Sequence, residues 1–154
     1  MKFTGEITLK AARAAVYEKV RDARFFASCV DGVRDLVEIE PDRYAAVFET
    51  KVAYMKFSFK VTVEVTRADA PREIEAKVEG TPLGVVGRMT ATAQTTLTEA
   101  GDETKIEYAV DAALTGKLGS LGQPVLRSKA REMEKQFAAR LAAAFAPTGS
   151  GGPQ

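Results

Sequence analysis

The sequence contains no histidine and only one cysteine among its 154 residues. Without histidine, the side chain best suited to proton transfer near neutral pH is absent, and neither Ser-His-Asp nor Cys-His nucleophilic arrangements can be built within this chain. One cysteine and no histidine also leave only carboxylates as ligands, which argues against a zinc site. An internal disulfide is impossible, which fits a reducing cytoplasm. We therefore expect no catalytic residue of these types, no metal and no covalently bound cofactor.

Long apolar runs, phosphate-binding loops and an excess of one charge are missing as well. No apolar stretch approaches the roughly 20 residues that span a bilayer, and Met1–Glu6 lacks the apolar core of a signal peptide. The 22 basic residues nearly balance the 21 acidic ones, which excludes nucleic-acid binding by bulk charge. Gly84–Gly87 is not a Walker-type loop. Carboxylates remain as acids or bases, so an enzyme is the less favoured class, not an excluded one.

Hydrophobic residues make up 45% of the chain and alternate with polar residues over most of its length. In residues 57–65 the odd positions are apolar and the even ones polar, which is typical of an antiparallel strand with one buried face. The same alternation predicts six more strands, at residues 3–9, 33–40, 44–54, 73–79, 88–98 and 104–115. Turn signals such as Pro41-Asp42 and Ala100-Gly101-Asp102 separate them.

Helical periodicity occurs in two places. Residues 12–28 form a short pair, with Asp22 as the N-cap of its second helix. A long helix is predicted over residues 123–146, with Pro124 in its first turn. Its apolar side chains recur every three or four residues and form one stripe: Leu126, Ala130, Met133, Phe137, Leu141 and Ala144. Residues 147–154 resemble a linker and are predicted to be disordered.

A sheet with one apolar face and a helix with one apolar stripe must cover each other. We therefore predict an α+β domain over residues 1–146, in which a curved seven-stranded antiparallel sheet wraps around the long C-terminal helix. Two short helices follow the first strand. This element order resembles the helix-grip fold of the START and SRPBCC superfamily.

Within that superfamily, the chain resembles the carbon monoxide dehydrogenase G-subunit family. Three segments carry the likeness: Met1–Glu6, Ala27–Val33 and Gly116–Gly122. The chain departs from the family pattern at Asp31-Gly32, where a proline usually precedes the glycine. It departs again at residues 80–87, which are less glycine-rich and more aliphatic than in the family.

The resemblance implies a non-enzymatic accessory protein of a molybdenum hydroxylase of the aerobic carbon monoxide dehydrogenase type. It implies a part in membrane recruitment of that enzyme and brings no catalytic residue. The expected partners are the hydroxylase complex, a hydrophobic small molecule and a membrane surface, without nucleic acid. The expected location is the cytoplasm or the inner face of the cytoplasmic membrane. Some relatives continue past a linker into a hydrophobic anchor, so the presence of a C-terminal anchor stays open.

The predicted inner face of the sheet mixes bulky residues with small ones, which the helix stripe does not obviously fill. Because empty volume costs stability, we expect an apolar ligand there, and the redox context suggests a quinone. The residues predicted to bind it are Tyr44, Phe48, Phe59, Met89, Ala91, Ala93, Tyr108, Leu126, Met133 and Phe137. Alternatively the region is packed core, and the inward hydroxyls of Tyr44, Thr50, Tyr54, Thr95 and Tyr108 bond only to carbonyls or water.

Two other functional classes stay open. The same fold supports a small cyclase or dehydratase that acts on a hydrophobic substrate in the same cavity. Such an enzyme needs an internal acid or base, and no Asp, Glu or His occupies the predicted inward positions of residues 44–114, which argues against it. The other class is a protein-interaction adaptor whose core is fully packed.

An apolar run lies between glycines where a polar turn would be expected, at Leu83, Val85 and Val86. It either folds under the sheet to complete the core, or stays outside as a lid or as a contact for membrane or partner. Cys29 is predicted to be an inert core residue.

The last helix is basic, since residues 117–146 hold six basic and two acidic residues. Arg127, Arg131 and Lys135 recur every four residues and share a face. This face is either solvated or a contact for anionic lipid or an acidic partner.

Overall fold

The computed structural model describes residues 1–146, so the predicted disordered tail, 147–154, lies outside the described residues. The strands are β1 (Lys2–Leu9), β2 (Val33–Glu40), β3 (Arg43–Val52), β4 (Met55–Asp69), β5 (Glu73–Pro82), β6 (Gly87–Ala100) and β7 (Glu103–Gly116). The helices are α1 (Arg13–Arg21), α2 (Ala23–Ser28) and α3 (Gln123–Ala144), and a short 3-10 turn covers Gly119–Leu121.

All seven strands join one antiparallel sheet in the order β1-β7-β6-β5-β4-β3-β2. The predicted α+β fold is confirmed, with both short helices after the first strand and the long helix last. Only the link from β1 to β2, through α1 and α2, joins strands that are not neighbours, and it spans the two edges of the sheet. Every other connection between strands is a hairpin, as short alternating strands with intervening turn residues predict.

One strand ends earlier than its alternating pattern predicts. The alternation of β3 runs on to Tyr54, yet Val52 already pairs with Met55 and leaves Ala53 and Tyr54 as the two-residue tip of a hairpin. Ala53 takes the left-handed conformation there, with φ of 56°. The prediction of an inward Tyr54 is therefore wrong, and its side chain is 97% exposed.

The helix boundaries follow local capping chemistry. Asp22 separates α1 from α2, and its carboxylate accepts hydrogen bonds from the backbone N–H groups of Arg24 and Phe25 at 3.0 and 3.2 Å. Pro124 occupies the first turn of α3, as predicted. The predicted stripe is wrong at its end, because Ala144 is exposed and the larger Phe145 packs against the core in its place.

Two separate clusters of buried side chains hold the helix to the sheet. The first core comprises Ile7, Leu9, Val16, Tyr17, Leu97, Ile106 and Leu141. The second core comprises Val52, Phe57, Phe59 and Leu118. Helix α3 packs on the second core near its start, through Val125, and on the first core near its end, through Leu141 and Phe145. Leu141 is the one α3 residue that is buried, so the helix is fixed at its two ends and loosely packed between them.

Cys29 is a buried core residue, as predicted, with 1% of its surface exposed. Burial raises the pKa of its thiol, which disfavours the reactive thiolate. Among residues 1–146, no helix combines the length and the apolar character needed to cross a membrane.

Candidate functional site

The inner face of the sheet is half-buried where it lies between the two cores. Its residues there belong to neither core and keep partial contact with solvent: Tyr44, Ala46, Val63, Ala76, Val78, Ala91, Ala93, Tyr108 and Val110. The middle of α3 contributes Ala130, Met133 and Glu134, which are also half-buried and also outside both cores. We call this section of sheet and helix the central cleft. Several of the same positions, among them Ala91, Ala93 and Val110, are also reached from the opposite face of the sheet, where they line two open concavities.

Small side chains form the floor of the central cleft. Ala93 pairs with Ala76 on one side and Val110 on the other. In the next inward row, Ala91 lies between Val78 and a further alanine on β7. Because directly paired residues of antiparallel strands share a face, these alanines lie side by side. The floor is therefore wide, shallow and apolar.

The ten residues predicted to bind a ligand fall into two groups. Tyr44, Ala91, Ala93, Tyr108, Leu126 and Met133 are half-buried and lie outside both cores. The remaining four belong to the packed ends. Phe59 is buried in the second core, with its ring centroid 6.0 Å from that of Phe48, and Met89 packs against the same cluster. Phe137 packs against the first core, 4.8 Å from the ring of Phe26.

A carboxylate enters the cleft from the helix. Tyr108 donates a hydrogen bond from its hydroxyl to Glu134 Oε1. Burial, aided by the hydrogen bond and the negative charge of Glu134, raises the pKa of Tyr108 well above its ordinary value. The tyrosine therefore keeps its proton and acts as the donor. We call Tyr108 and Glu134 the polar pair.

Gly5 makes room for the polar pair. It is paired with Tyr108 in the sheet, and a Cβ at this position would collide with both the tyrosine hydroxyl and Glu134 Oε1. The sequence prediction placed no acid among the inward positions of 44–114, and the carboxylate comes instead from α3. Glu134 lies four residues after Ala130 and three before Phe137, so it belongs to the same helix face as the apolar stripe. Its position on the helix therefore indicated an inward side chain, although its residue type did not.

The loop between β5 and β6 does not fold under the sheet. Leu83 is 49% exposed, Val85 37% and Val86 86%. The loop lies at the same end of the sheet as the tip of the β3–β4 hairpin, because Leu83 N–H donates to the Ser58 carbonyl at 2.8 Å. We call the exposed Tyr54, Leu83, Val85 and Val86 the apolar tip.

Basic side chains surround the apolar tip. Lys51 and Lys56 face each other across the β3–β4 hairpin, and the Lys117 backbone N–H donates to the Val86 carbonyl at 2.8 Å. All three lysines are exposed, and none has a carboxylate within 4 Å among residues 1–146. An exposed apolar loop with free lysines beside it is suited to an anionic surface.

The predicted basic face of α3 is divided in the structure. Arg127 donates a hydrogen bond to the Lys2 carbonyl at 2.9 Å, and its guanidinium lies 5.5 Å from the centre of the Phe3 ring. Arg127 thus contributes to holding α3 against β1. Arg131 and Lys135 are exposed and leave a smaller basic surface than the spacing predicts.

Two open concavities, of about 540 and 390 Å³, lie on the other face of the sheet. Their side chains alternate in charge, among them Lys77, Glu79 and Asp111. Such a polar, mixed lining does not suit an apolar ligand. The floor of the central cleft is the more apolar of these surfaces.

The model of the CoxG family, the G subunits of carbon monoxide dehydrogenase, matches residues 5–146. The chain belongs to this family. A conserved protein from Geobacillus kaustophilus is 25% identical, with a TM-score of 0.88 over 96% of this chain and 97% of that one. A START superfamily protein from Mycobacterium smegmatis is 11% identical, with a TM-score of 0.70 over 93% of this chain and 95% of that one, which shows the fold. No curated protein matches the chain.

These matches confirm the family and the START-like fold predicted from the sequence. Membership of the CoxG family and a START-like fold support a ligand-binding accessory role, and they suggest a non-catalytic protein.

Proposed function

We propose that this protein is a non-enzymatic carrier, which holds an apolar ligand in the central cleft and serves a carbon monoxide dehydrogenase of the molybdenum hydroxylase type at the membrane. The main support is the packing of α3, which is fixed to the sheet at its two ends and faces small half-buried side chains between them. Protein interiors are ordinarily close-packed. A half-buried lining of alanines and a methionine, outside both buried clusters, therefore suits a ligand.

A quinone is the ligand class we propose. A molybdenum hydroxylase that oxidises its substrate must pass electrons to an acceptor, and a quinone is an acceptor that dissolves in the membrane. The central cleft offers such a molecule an apolar floor at Ala91 and Ala93. Aromatic rings at both ends, Phe59 in the second core and Phe137 near the first, bound its length.

The experiment is quinone transfer from vesicles. The protein is mixed with vesicles that contain a short-chain naphthoquinone, the vesicles are sedimented, and the quinone in the supernatant is measured. We expect it to rise with protein concentration towards one molecule per chain. A supernatant level equal to that with a control protein of another fold would contradict the carrier function.

We further propose that the protein meets the membrane through the apolar tip. Each free lysine near an anionic surface contributes roughly 1 kcal/mol of binding, and exposed valine and leucine add a hydrophobic contribution on insertion. The variant Leu83→Ser/Val86→Ser should lose co-sedimentation with vesicles containing phosphatidylglycerol. The matched control is Val37→Ser/Ile39→Ser, which removes apolar side chains of 55% exposure from the edge strand β2.

Two results would contradict contact through the tip. One is equal loss of binding in the tip variant and in the β2 control. The other is a loss confined to Arg131→Glu/Lys135→Glu, which would place the contact on the basic face of α3. Rising salt should weaken binding in every case in which the lysines contribute.

A cyclase or dehydratase is the second candidate, and Glu134 is the observation that favours it. A half-buried carboxylate beside an apolar floor is a usable acid or base. The carrier is preferred because Tyr108 already donates its proton to this carboxylate. Catalytic turnover of an added hydrophobic substrate, abolished by Glu134→Gln, would favour the enzyme.

A further inference from the structure

The polar pair brings a negative charge into the central cleft, and only one oxygen of its carboxylate is used. Glu134 Oε1 accepts the hydrogen bond from Tyr108. Glu134 Oε2 accepts no hydrogen bond from residues 1–146. This oxygen is not fully buried, so it keeps contact with solvent. No basic side chain in residues 1–146 lies within 4 Å of Glu134. Glu134 Oε2 is thus a solvent-accessible acceptor beside the inner face of the sheet.

The direction of the hydrogen bond decides what the pair can offer. A carboxylate accepts hydrogen bonds and donates none, and a tyrosine has a single proton. Because Tyr108 gives that proton to Glu134, both members present only lone pairs towards the cleft. A ligand carbonyl placed there would face other lone pairs, whereas a ligand hydroxyl would find an acceptor.

The polar pair joins β7 to α3 and keeps an acceptor in contact with solvent. Glu134 and Tyr108 are half-buried, and Tyr108 lies outside both hydrophobic cores. Strand β1 has a glycine at position 5, where any Cβ would collide with the polar pair. The absence of a side chain at Gly5 therefore leaves the space that the polar pair occupies.

We infer that the polar pair selects a ligand with a hydroxyl on an apolar ring, such as a phenol or the hydroquinone form of a quinone, over the corresponding carbonyl or ether. This inference rests on the proposed carrier function and adds the redox form that the carrier prefers, so that the oxidised quinone still binds through the apolar floor but more weakly than its hydroquinone. The hydrogen bond would run from the ligand hydroxyl to Glu134 Oε2 and would be charge-assisted. The apolar ring would lie on the alanine floor.

The experiment uses two probes that do not change redox state, 2-naphthol and 2-methoxynaphthalene, titrated into the full chain by calorimetry. They share the ring system and differ in whether the oxygen carries a proton. We expect naphthol to bind about tenfold more tightly or better, as is typical of a hydrogen bond to a charged acceptor. Equal affinities in the wild-type protein would overturn the inference without any variant.

Glu134→Gln is the discriminating variant, because it keeps the shape and replaces the free oxygen with an N–H donor. The naphthol preference should disappear or reverse. Glu132→Gln is the matched control on the exposed side of α3, where Glu132 pairs with Lys129, and it should keep the wild-type preference. An unchanged preference in Glu134→Gln would overturn the inference.

The two proposals fail in different ways. If both probes bind equally to the wild type, hydroxyl selection is wrong and the apolar carrier stands. If neither probe binds and no quinone is extracted from vesicles, the carrier function is wrong and hydroxyl selection falls with it.

Discussion

Filling the central cleft with a side chain separates a ligand site from a packed core. Ala93 is half-buried on β6, and its cross-strand neighbours on the inner face are Ala76 and Val110. The variant Ala93→Phe places a ring above this floor. If the space is open, the ring buries about 100 Å² of apolar surface, which is worth about 2.5 kcal/mol at about 25 cal/mol per Å². If the space is filled, overpacking costs about 1–3 kcal/mol.

The free energy of unfolding rises in the first case and falls in the second, so thermal unfolding followed by circular dichroism distinguishes them. For a domain of this size, 1 kcal/mol shifts the melting temperature by about 2–4 °C. We expect Ala93→Phe to hold or raise the melting temperature while it weakens binding of a short-chain quinone. Ala109→Phe, which adds the same ring on the exposed outer face of β7, corrects for the strand preference of phenylalanine. A clearly lowered melting temperature, together with no quinone binding by the parent, would refute the reasoning.

Three further predictions concern the surroundings of the cleft. Gly5→Ala should lower the free energy of unfolding in urea by about 1–3 kcal/mol, because its Cβ collides with the polar pair, whereas Thr4→Ala on the outer face should change it by less than about 0.5 kcal/mol. Arg127→Ala should cost about 1 kcal/mol through its lost hydrogen bond and ring contact with β1, and an equal cost for the exposed Arg131→Ala would show that the contact contributes nothing. Cys29 should react with a thiol reagent only as the protein unfolds, because burial raises its pKa and covers it; rapid reaction of the native protein would contradict this.

The sheet could be predicted from the sequence because strand alternation is a local property with a period of two. The same property explains the error at Tyr54. Alternation continues through a two-residue hairpin tip without any change of pattern, and only the pairing of Val52 with Met55 shows that the strand has ended. Pairing depends on two segments together, so the pattern of one segment alone does not show where a strand ends.

The candidate site could be predicted only in part. The small residues of the floor stand out in the sequence, and Ala91 and Ala93 lie half-buried on the inner face of the sheet. Glu134 was missed because an apolar stripe is traced by residue type, and a carboxylate one turn after Ala130 is passed over in favour of Met133. Its role depends on where α3 meets β7, which is a tertiary property.

Because the two cores are separate, α3 could pivot about its C-terminal end. The first core grips the helix at Leu141, the sole α3 side chain that is buried, while the start of the helix follows Gly122, which has a φ of 91°. Gln123 and Leu141 are 18 positions apart, a distance of about 27 Å along the helix at about 1.5 Å per residue. A tilt of about 10° around Leu141 would therefore move the start of α3 by about 5 Å, and it would release Val125 from the second core and Arg127 from β1. Such a motion would admit a flat molecule while every strand of the sheet and the whole first core stay in place.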